Sequence, residues 1–297
     1  MKEFTHISVL KNQAIEALAI QSNGVYVDAT VGLGGYTEDI ASKLDKGRVI
    51  GLDADSDALA LAQERLQVYA DKVLLRQANF RLLDRILAEL DISSVNGIVA
   101  DLGVSSMELE DDKRGFSFRS DALLDMRFDQ NTQSLTAADI VNTYSQDDLV
   151  QIFKNFGDEP FSGRIARVIC EARRISKITT TQELVDIIMN IVPAKGKSHR
   201  IHPATRVFQA LRMEVNDEIG ALNSLLENSL QVLQSQGRLV IVSFHSGEDR
   251  IVKHTFKNWH QQGLAEILTK KPITPDFEEI AHNPRARSAK MRIITKH

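Results

Sequence analysis

Residues 24–37, GVYVDATVGLGGYT, decide the fold. The run Val25-Tyr26-Val27 reads as a short strand, the stretch from Asp28 to Gly35 as a glycine-rich turn, and Tyr36-Thr37-Glu38 as the opening of a helix. A strand, a tight turn and a helix in that order are where a nucleotide-like ligand meets an α/β sheet. Two phosphate-binding versions of such a turn can be tested on spacing. A P-loop needs a lysine and a hydroxyl residue after its last glycine, and here Gly35 is followed by Tyr36. A dinucleotide fingerprint needs a third glycine or alanine where Thr37 stands. What remains is a turn that lets backbone approach a ligand and ends its strand on a carboxylate, Asp28. That pattern suits a cationic or zwitterionic ligand.

Outward from this turn, VYVDAT, RVIGLDAD, KVLLRQAN, NGIVADLG and GRLVIVSF are short β-branched runs, and helical patterns such as DALALAQERLQVY separate the first three. The alternation predicts an α/β fold with a doubly wound, mainly parallel sheet. About 130 residues separate the fourth run from the fifth, far more than one crossover helix needs, so an inserted domain is expected there. The insert reads as helical. In PFSGRIARVICEARR, Phe161, Ile165, Val168, Ile169 and Ala172 share one face, and TTQELVDIIMNIV gives a second helix with a threonine start. The stretch HPATRVFQALRMEVNDEIGALNSLLENSLQVL is expected to form one long helix covering the sheet before the fifth strand. The expected division is a first part of the sheet domain over 1–105, a helical substrate-recognition domain over 106–200, and the rest of the sheet domain over 201–297.

The chain has 297 residues, 43% hydrophobic and 26% charged, an ordinary globular composition. A single cysteine, Cys170, excludes an internal disulfide and a cysteine-based zinc site. MKEFTHISVL has neither a signal-peptide nor a transit-peptide pattern, and no apolar run reaches membrane-spanning length, so a cytoplasmic protein is expected. Net charge is only −4, but the basic residues are clustered. Residues 161–182 carry Arg164, Arg167, Arg173, Arg174 and Lys177 against Glu171 alone, while 194–212 (Lys195, Lys197, Arg200, Arg206, Arg212) and 281–297 (Arg285, Arg287, Lys290, Arg292, Lys296) carry no acid. Each stretch alone reads as a solvated face; three together point to a polyanionic partner, with Arg164, Arg167, Arg174, Arg206, Arg285 and Arg287 as candidate RNA contacts. His199 and His202 have the spacing of a metal pair, but Pro203 breaks the helix that spacing needs, and no metal site is expected.

Four strand ends converge on one edge. The first supplies the glycine turn, and the second ends at Asp53, nineteen residues after Gly34 and near the spacing at which an acid binds ribose hydroxyls. The third ends in Ala78-Asn79-Phe80 and the fourth in Ala100-Asp101-Leu102-Gly103. Singly, an aspartate at a strand end is often a helix cap, and a lone phenylalanine is often core. In this order they suit an adenosine with an amino-acid tail, which is S-adenosylmethionine. SFHSGEDR places Ser246 three residues before Asp249, a capping-box spacing, with His245 either packed in the core or facing the same edge.

The stretch DLGVSSMELEDDKRGFSFRSDALLDMRF carries a family resemblance. With HISVL, DATVGLGGYT, HPATRVFQALR, VND, SFHSGEDRIVK and NPRARSAKMR, the chain resembles the bacterial small-subunit ribosomal RNA cytosine-N4 methyltransferases, the RsmH or MraW family, over nearly its whole length. The resemblance implies a class I S-adenosylmethionine-dependent methyltransferase, Rossmann-like, with an inserted helical domain, and methyl transfer to a cytidine amine in the decoding region. It also implies the small ribosomal RNA or assembled small subunit as partner, and cofactor contacts at Gly34, Gly35, Tyr36, Asp53, Phe80, Asp101 and Glu108. Against the family pattern, Tyr36 stands in place of histidine, Met107-Glu108 of proline-glutamine, Ala122-Leu123 of glycine-proline, Gly247 of leucine and Ser8 of proline.

Methylating carbon 5 of cytosine requires a cysteine nucleophile, and Cys170 lies mid-helix in RIARVICEAR, where core packing is expected. Methylating the amine requires only an acceptor that holds its hydrogens and aims its lone pair. Asp101, Ser105 and Ser106, on the loop after the fourth strand, are the candidates. Two other readings stand beside this one: an RNA-binding ribosome assembly factor with weakened catalysis that keeps the fold, and a nicotinamide-dependent enzyme, which the missing third glycine disfavours.

Overall fold

The computed structural model describes residues 8–111, 113–191 and 202–297. His199, Lys195, Lys197 and Arg200, singled out above, lie outside these residues. The chain divides into two compact units, one of residues 1–103 and 219–297 and the other of residues 104–218.

The first unit is built on a seven-stranded sheet in the order β3-β2-β1-β4-β5-β7-β6. Its strands are β1 (Val25–Asp28), β2 (Arg48–Asp53), β3 (Val73–Gln77), β4 (Val95–Asp101), β5 (Leu233–Ser243), β6 (Ala265–Ile267) and β7 (Lys290–Lys296). β1 to β5 pair in parallel, as expected, while β7 runs antiparallel to both β5 and β6. Successive residues feed two opposite cores. Ile98, Ala100, Leu239, Ile241 and Ile294 pack with the helices Glu218–Val232 and Ser246–Gln261 through Leu222, Leu226, Val252 and Phe256. Val99, Val240, Val242, Met291 and Ile293 face the helices Lys11–Ala17 and Gly35–Lys43 through Ala14, Ile15, Tyr36 and Ile40. Covered on both faces, central strands such as β2 read as unbroken apolar runs rather than alternating ones.

β6 and β7 escaped the sequence reading because KMRIITK looks like part of a basic tail. In the fold Met291 to Thr295 are buried, and Arg292 bonds Asp249 through Nε at 2.6 Å. Lys296 Nζ donates to the Leu233 carbonyl at 2.6 Å. Much of that basic stretch is therefore structural.

The second unit is helical, with a core that includes Ile140, Leu149, Phe153, Ile165, Ile169, Leu184 and Ile188. The helix Ser162–Ala172 buries Ile165 and Ile169 as its periodicity implied, with Cys170 also buried. The helix Thr181–Met189 starts on a capping box between Thr180 and Glu183. The inserted unit ends at residue 218 rather than 200. The expected single long helix is in fact two, Thr205–Val215 and Glu218–Val232, and only the second covers the sheet. Val207, Phe208, Leu211 and Val215 of the first belong to the helical core. The break has a local cause. Asp217 adopts a left-handed backbone (φ 45), and the Asn216 amide accepts from Phe128 N–H and donates to the Met126 carbonyl, both at 2.8 Å.

No helix among the described residues is long and apolar enough to cross a membrane.

Candidate cofactor site

The C-terminal ends of β1, β2 and β4 bring the glycine turn, Asp53 and Asp101 to one edge of the sheet. Gly34 caps the following helix with a left-handed backbone (φ 84), and its N–H donates to the Val31 carbonyl at 2.8 Å. A Cβ at Gly35 would overlap the Ser8 hydroxyl, which would then have to move. Asp53 ties the turn directly: Oδ2 accepts from Gly32 N–H at 2.7 Å and Oδ1 from Asp55 N–H at 2.9 Å. Asp55, in turn, caps the helix Ser56–Arg65. Phe80, half-buried, opens a short helical turn just after β3.

Asp28 is fully buried and accepts from Thr37 Oγ1 at 2.6 Å and from Thr30 N–H at 3.2 Å. This explains why threonine stands where a dinucleotide site has its third glycine: the hydroxyl holds Asp28. Burial nevertheless pushes the Asp28 carboxyl up to about 6, against those bonds, and the Asp53 charge adds to the rise. Burial likewise lifts Asp53 to about 6, against its backbone donors. Asp101 is raised well above the usual carboxylate range, first by burial and then by the charges of Asp28, Glu248 and Glu279. Its N–H donates to Thr30 Oγ1 at 2.7 Å, but its shielded Oδ1 has no partner among the described residues. A shielded acceptor left unbonded costs free energy, and a ligand that donates to it removes that cost.

Two further residues show roles the sequence did not reveal. The Tyr36 ring is buried, and its hydroxyl donates to the Val9 carbonyl, so the backbone of Tyr36 is what borders the turn. At the end of β5 the capping pair is His245 with Glu248, one residue earlier than the expected Ser246 with Asp249. His245 Nδ1 accepts from Gly247 and Glu248 N–H, which leaves Nε2 as the protonated nitrogen, 3.1 Å from Glu248. Asp249 instead holds Arg292 and Lys290; burial alone would raise its carboxyl, but these partners outweigh burial and lower it.

Ser105 and Glu108 belong to the helical unit. They form a capping box on the helix Ser106–Glu110: Ser105 Oγ accepts from Glu108 N–H at 3.2 Å, and Glu108 Oε2 accepts from Ser105 N–H at 2.7 Å. A glutamate serves this cap as well as a glutamine would. Ser106 opens the helix, and its side chain is not described. His202 stacks on Phe118 at 4.6 Å, and no group of three or more potential metal ligands occurs among the described residues. Arg164, Arg167, Arg174, Arg285 and Arg287 are exposed and Arg206 is half-buried.

A glycine turn without phosphate signals, an acid at ribose spacing, and shielded carboxylates with no cation beside them among the described residues, all on a mainly parallel doubly wound sheet, define a Rossmann-like methyltransferase whose cofactor is S-adenosylmethionine. That cofactor carries a sulfonium and an ammonium, and the shielded, unpartnered Oδ1 of Asp101 is an acceptor that fits a positively charged or hydrogen-bond-donating group. The chain belongs to the MraW methylase family, whose model matches residues 3–297. Among relatives, "Ribosomal RNA small subunit methyltransferase H" of Oceanobacillus iheyensis is 45% identical over 309 residues, covering 99% of this chain and 95% of that protein. The protein of the same name from Clostridium botulinum (strain Loch Maree) is 46% identical over 310 residues, covering 99% of each. Among solved structures, an rRNA methylase from Streptococcus thermophilus aligns with a TM-score of 0.44 and 13% identity over 96% of this chain and 93% of that one, a distant likeness.

Proposed function

We propose that this protein transfers the methyl group of S-adenosylmethionine to the N4 amine of a cytidine in the decoding region of small-subunit ribosomal RNA. The observation that carries this reading is Asp101: a carboxylate at the end of β4 with a shielded, unpartnered oxygen and a raised proton affinity. The names of the relatives support ribosomal RNA of the small subunit as the substrate. The buried Cys170 sits within the core of the helical unit, which favours the amine over carbon 5 as the target.

The cofactor supplies an electrophilic methyl group. Gly34, Gly35 and the Tyr36 backbone would border it, Asp53 would hold its ribose hydroxyls, and Phe80 would lie by its adenine. The lone pair of the cytidine amine is delocalised into the ring, so the nitrogen must be held and aimed. Asp101 accepts a hydrogen bond from the amine, fixes its orientation and takes up the proton that the nitrogen gives up. A raised proton affinity suits that last role. Ser105 and Glu108 support the loop that follows through their reciprocal cap.

A cytidine in folded RNA must be turned out of its stack, and contacts elsewhere on the substrate offset that cost. The exposed Arg164, Arg167 and Arg174 on the helical unit, and Arg285 and Arg287 on the sheet unit, are the phosphate contacts we assign to an assembled small subunit. Arg167 pairs with Glu171 only weakly, at 3.6 Å with both side chains mostly exposed, and so is open to exchange partners. Reversal of Arg167, Arg174 and Arg287 to glutamate is expected to flatten the salt dependence of RNA binding, by close to one unit of slope per lost phosphate contact, with cofactor affinity unchanged. Mapping modified cytidines by mass in ribosomal RNA from a deletion strain, complemented with the native or the Asp101→Ala protein, tests the reaction. One N4-methyl mark that disappears on deletion and returns only with the native protein is expected. An unchanged cytidine map refutes the reading, and a mark restored equally by Asp101→Ala removes Asp101 from it.

A further inference from the structure

The segment preceding the first helix is buried although nothing in its sequence demands it: Ser8 is 5% exposed, Val9 4% and Leu10 not at all. Leu10 also holds a left-handed backbone (φ 53), which is uncommon for a side chain of its size and persists only where surroundings impose it. Three contacts impose it. Leu10 N–H donates to Glu279 Oε1 at 2.6 Å, joining positions 269 residues apart. The Val9 carbonyl accepts from the Tyr36 hydroxyl. Ser8 packs its hydroxyl onto Gly35 so closely that no Cβ fits between them. Glu279 is itself fixed, on the short helix Phe277–His282 that Asp276 caps, with Glu279 N–H donating to Asp276 at 2.8 Å. Its charge also reaches the site, since it helps raise both Asp101 and Tyr36.

From this geometry we infer that residues 8–10 form a wall of the S-adenosylmethionine site, pressed onto the glycine turn by a latch of Glu279 and Tyr36. Glu279 is a positioning residue. It touches neither cofactor nor substrate, but it holds the segment that fixes where the Gly35 backbone lies. The tyrosine found here in place of the usual histidine then has a specific role, because its hydroxyl closes the latch from the other side. The inference rests on the reading that the glycine turn and Asp53 hold the cofactor.

The test compares Glu279→Ala, Glu279→Gln and Tyr36→Phe in the full chain, with Asp53→Ala as the reference. Amide hydrogen exchange reads the latch, and calorimetric titration with S-adenosylmethionine reads the site. In Glu279→Ala, Leu10 amide exchange is expected to accelerate and affinity to fall roughly tenfold, the scale of one hydrogen bond to a charged group, while melting stays cooperative. Glu279→Gln keeps an acceptor oxygen and is expected to recover most of the affinity. Tyr36→Phe, which keeps the buried ring, is expected to show the same pairing of faster exchange with weaker binding, and it carries the test if Glu279→Ala does not fold. Accelerated exchange with unchanged affinity overturns the inference, as does unchanged exchange. If Asp53→Ala also keeps full affinity, the cofactor reading has failed; if Asp53→Ala loses affinity and the latch variants do not, only the latch has failed.

Discussion

Two sets of shielded carboxylates, one in each unit, are treated in opposite ways. In the helical unit Asp125 grips Arg127 through two bonds of 2.8 and 2.7 Å. Burial alone would raise its carboxyl, but the hydrogen bonds and charge of Arg127 outweigh burial and hold it below the usual range. Nearby, Arg114 donates to the Arg127 and Phe128 carbonyls at 2.9 and 2.8 Å and lies over the Phe116 ring, which stacks on Phe128. In the sheet unit the Asp28 and Asp53 carboxyls have backbone and hydroxyl partners, the Asp101 carboxyl keeps a shielded oxygen without one, none of the three pairs with a lysine or arginine among the described residues, and all three are raised. A buried carboxylate with its cation in place is architecture. One without a cation costs free energy until something positive arrives, and that marks where a ligand belongs.

The contrast breaks first at Asp101. Asp101→Ala is expected to lower single-turnover methyl transfer to small subunits by roughly a hundredfold to ten-thousandfold, the range of a lost acid-base group, with a melting temperature no lower than that of the native protein. Arg127→Ala should do the reverse. Stranding Asp125 is expected to cost about 3 kcal/mol of stability in denaturant unfolding, with cofactor affinity intact in whatever remains folded. Asp53→Ala comes next, weakening S-adenosylmethionine binding by roughly 1.5–3 kcal/mol by calorimetry.

The smallest effect is on pH dependence, and its sign separates Asp28 and Asp53 from Asp125. For Asp28 and Asp53 the folded value, about 6, lies above the ordinary one, so their contribution to stability is fully present below the ordinary carboxylate value and is lost as pH rises through about 6. A bound cation favours the ionised forms, so cofactor affinity is expected to fall by up to about tenfold per pH unit below about 6. For the lowered Asp125 the contribution is present above the ordinary carboxylate value and is lost only as pH falls through its depressed one. Melting curves across pH, with and without cofactor, check both signs.

Much of the sheet unit was legible because local signals and global fold agree there: β-branched runs, glycine at the turn, aspartates at strand ends. The signals that failed were ambiguous in one dimension. KMRIITK carries charges at both ends and at Arg292, and only the tertiary pair with Asp249 reveals that its middle is buried. The apolar stripe through VND continues across the helix break, because the break comes from Asn216 reaching residues about ninety positions away. His245 caps a helix through an imidazole nitrogen, a role that serine usually fills, so Ser246 drew the assignment. In the family stretch, the pairing of Asp125 with Arg127 and the stacking of Phe116 on Phe128 were hidden because they lie in irregular backbone whose course no periodicity reveals, whereas the reach of Thr37 to Asp28 was in principle visible as a hydroxyl nine residues after an acid.

The central claim is that the strand-end carboxylates of the sheet unit belong to the S-adenosylmethionine site, and proton linkage tests it most directly. Calorimetric titration of S-adenosylmethionine at about pH 6, in two buffers of different ionisation heat, measures the protons exchanged on binding. The ligand ammonium is fully protonated there, so the protein groups decide the count. The account expects a net release of roughly half a proton or more per cofactor bound, reduced in Asp53→Asn, because the arriving cation ionises carboxyls that burial had kept protonated. Binding with no proton exchange, or with proton uptake, would contradict it.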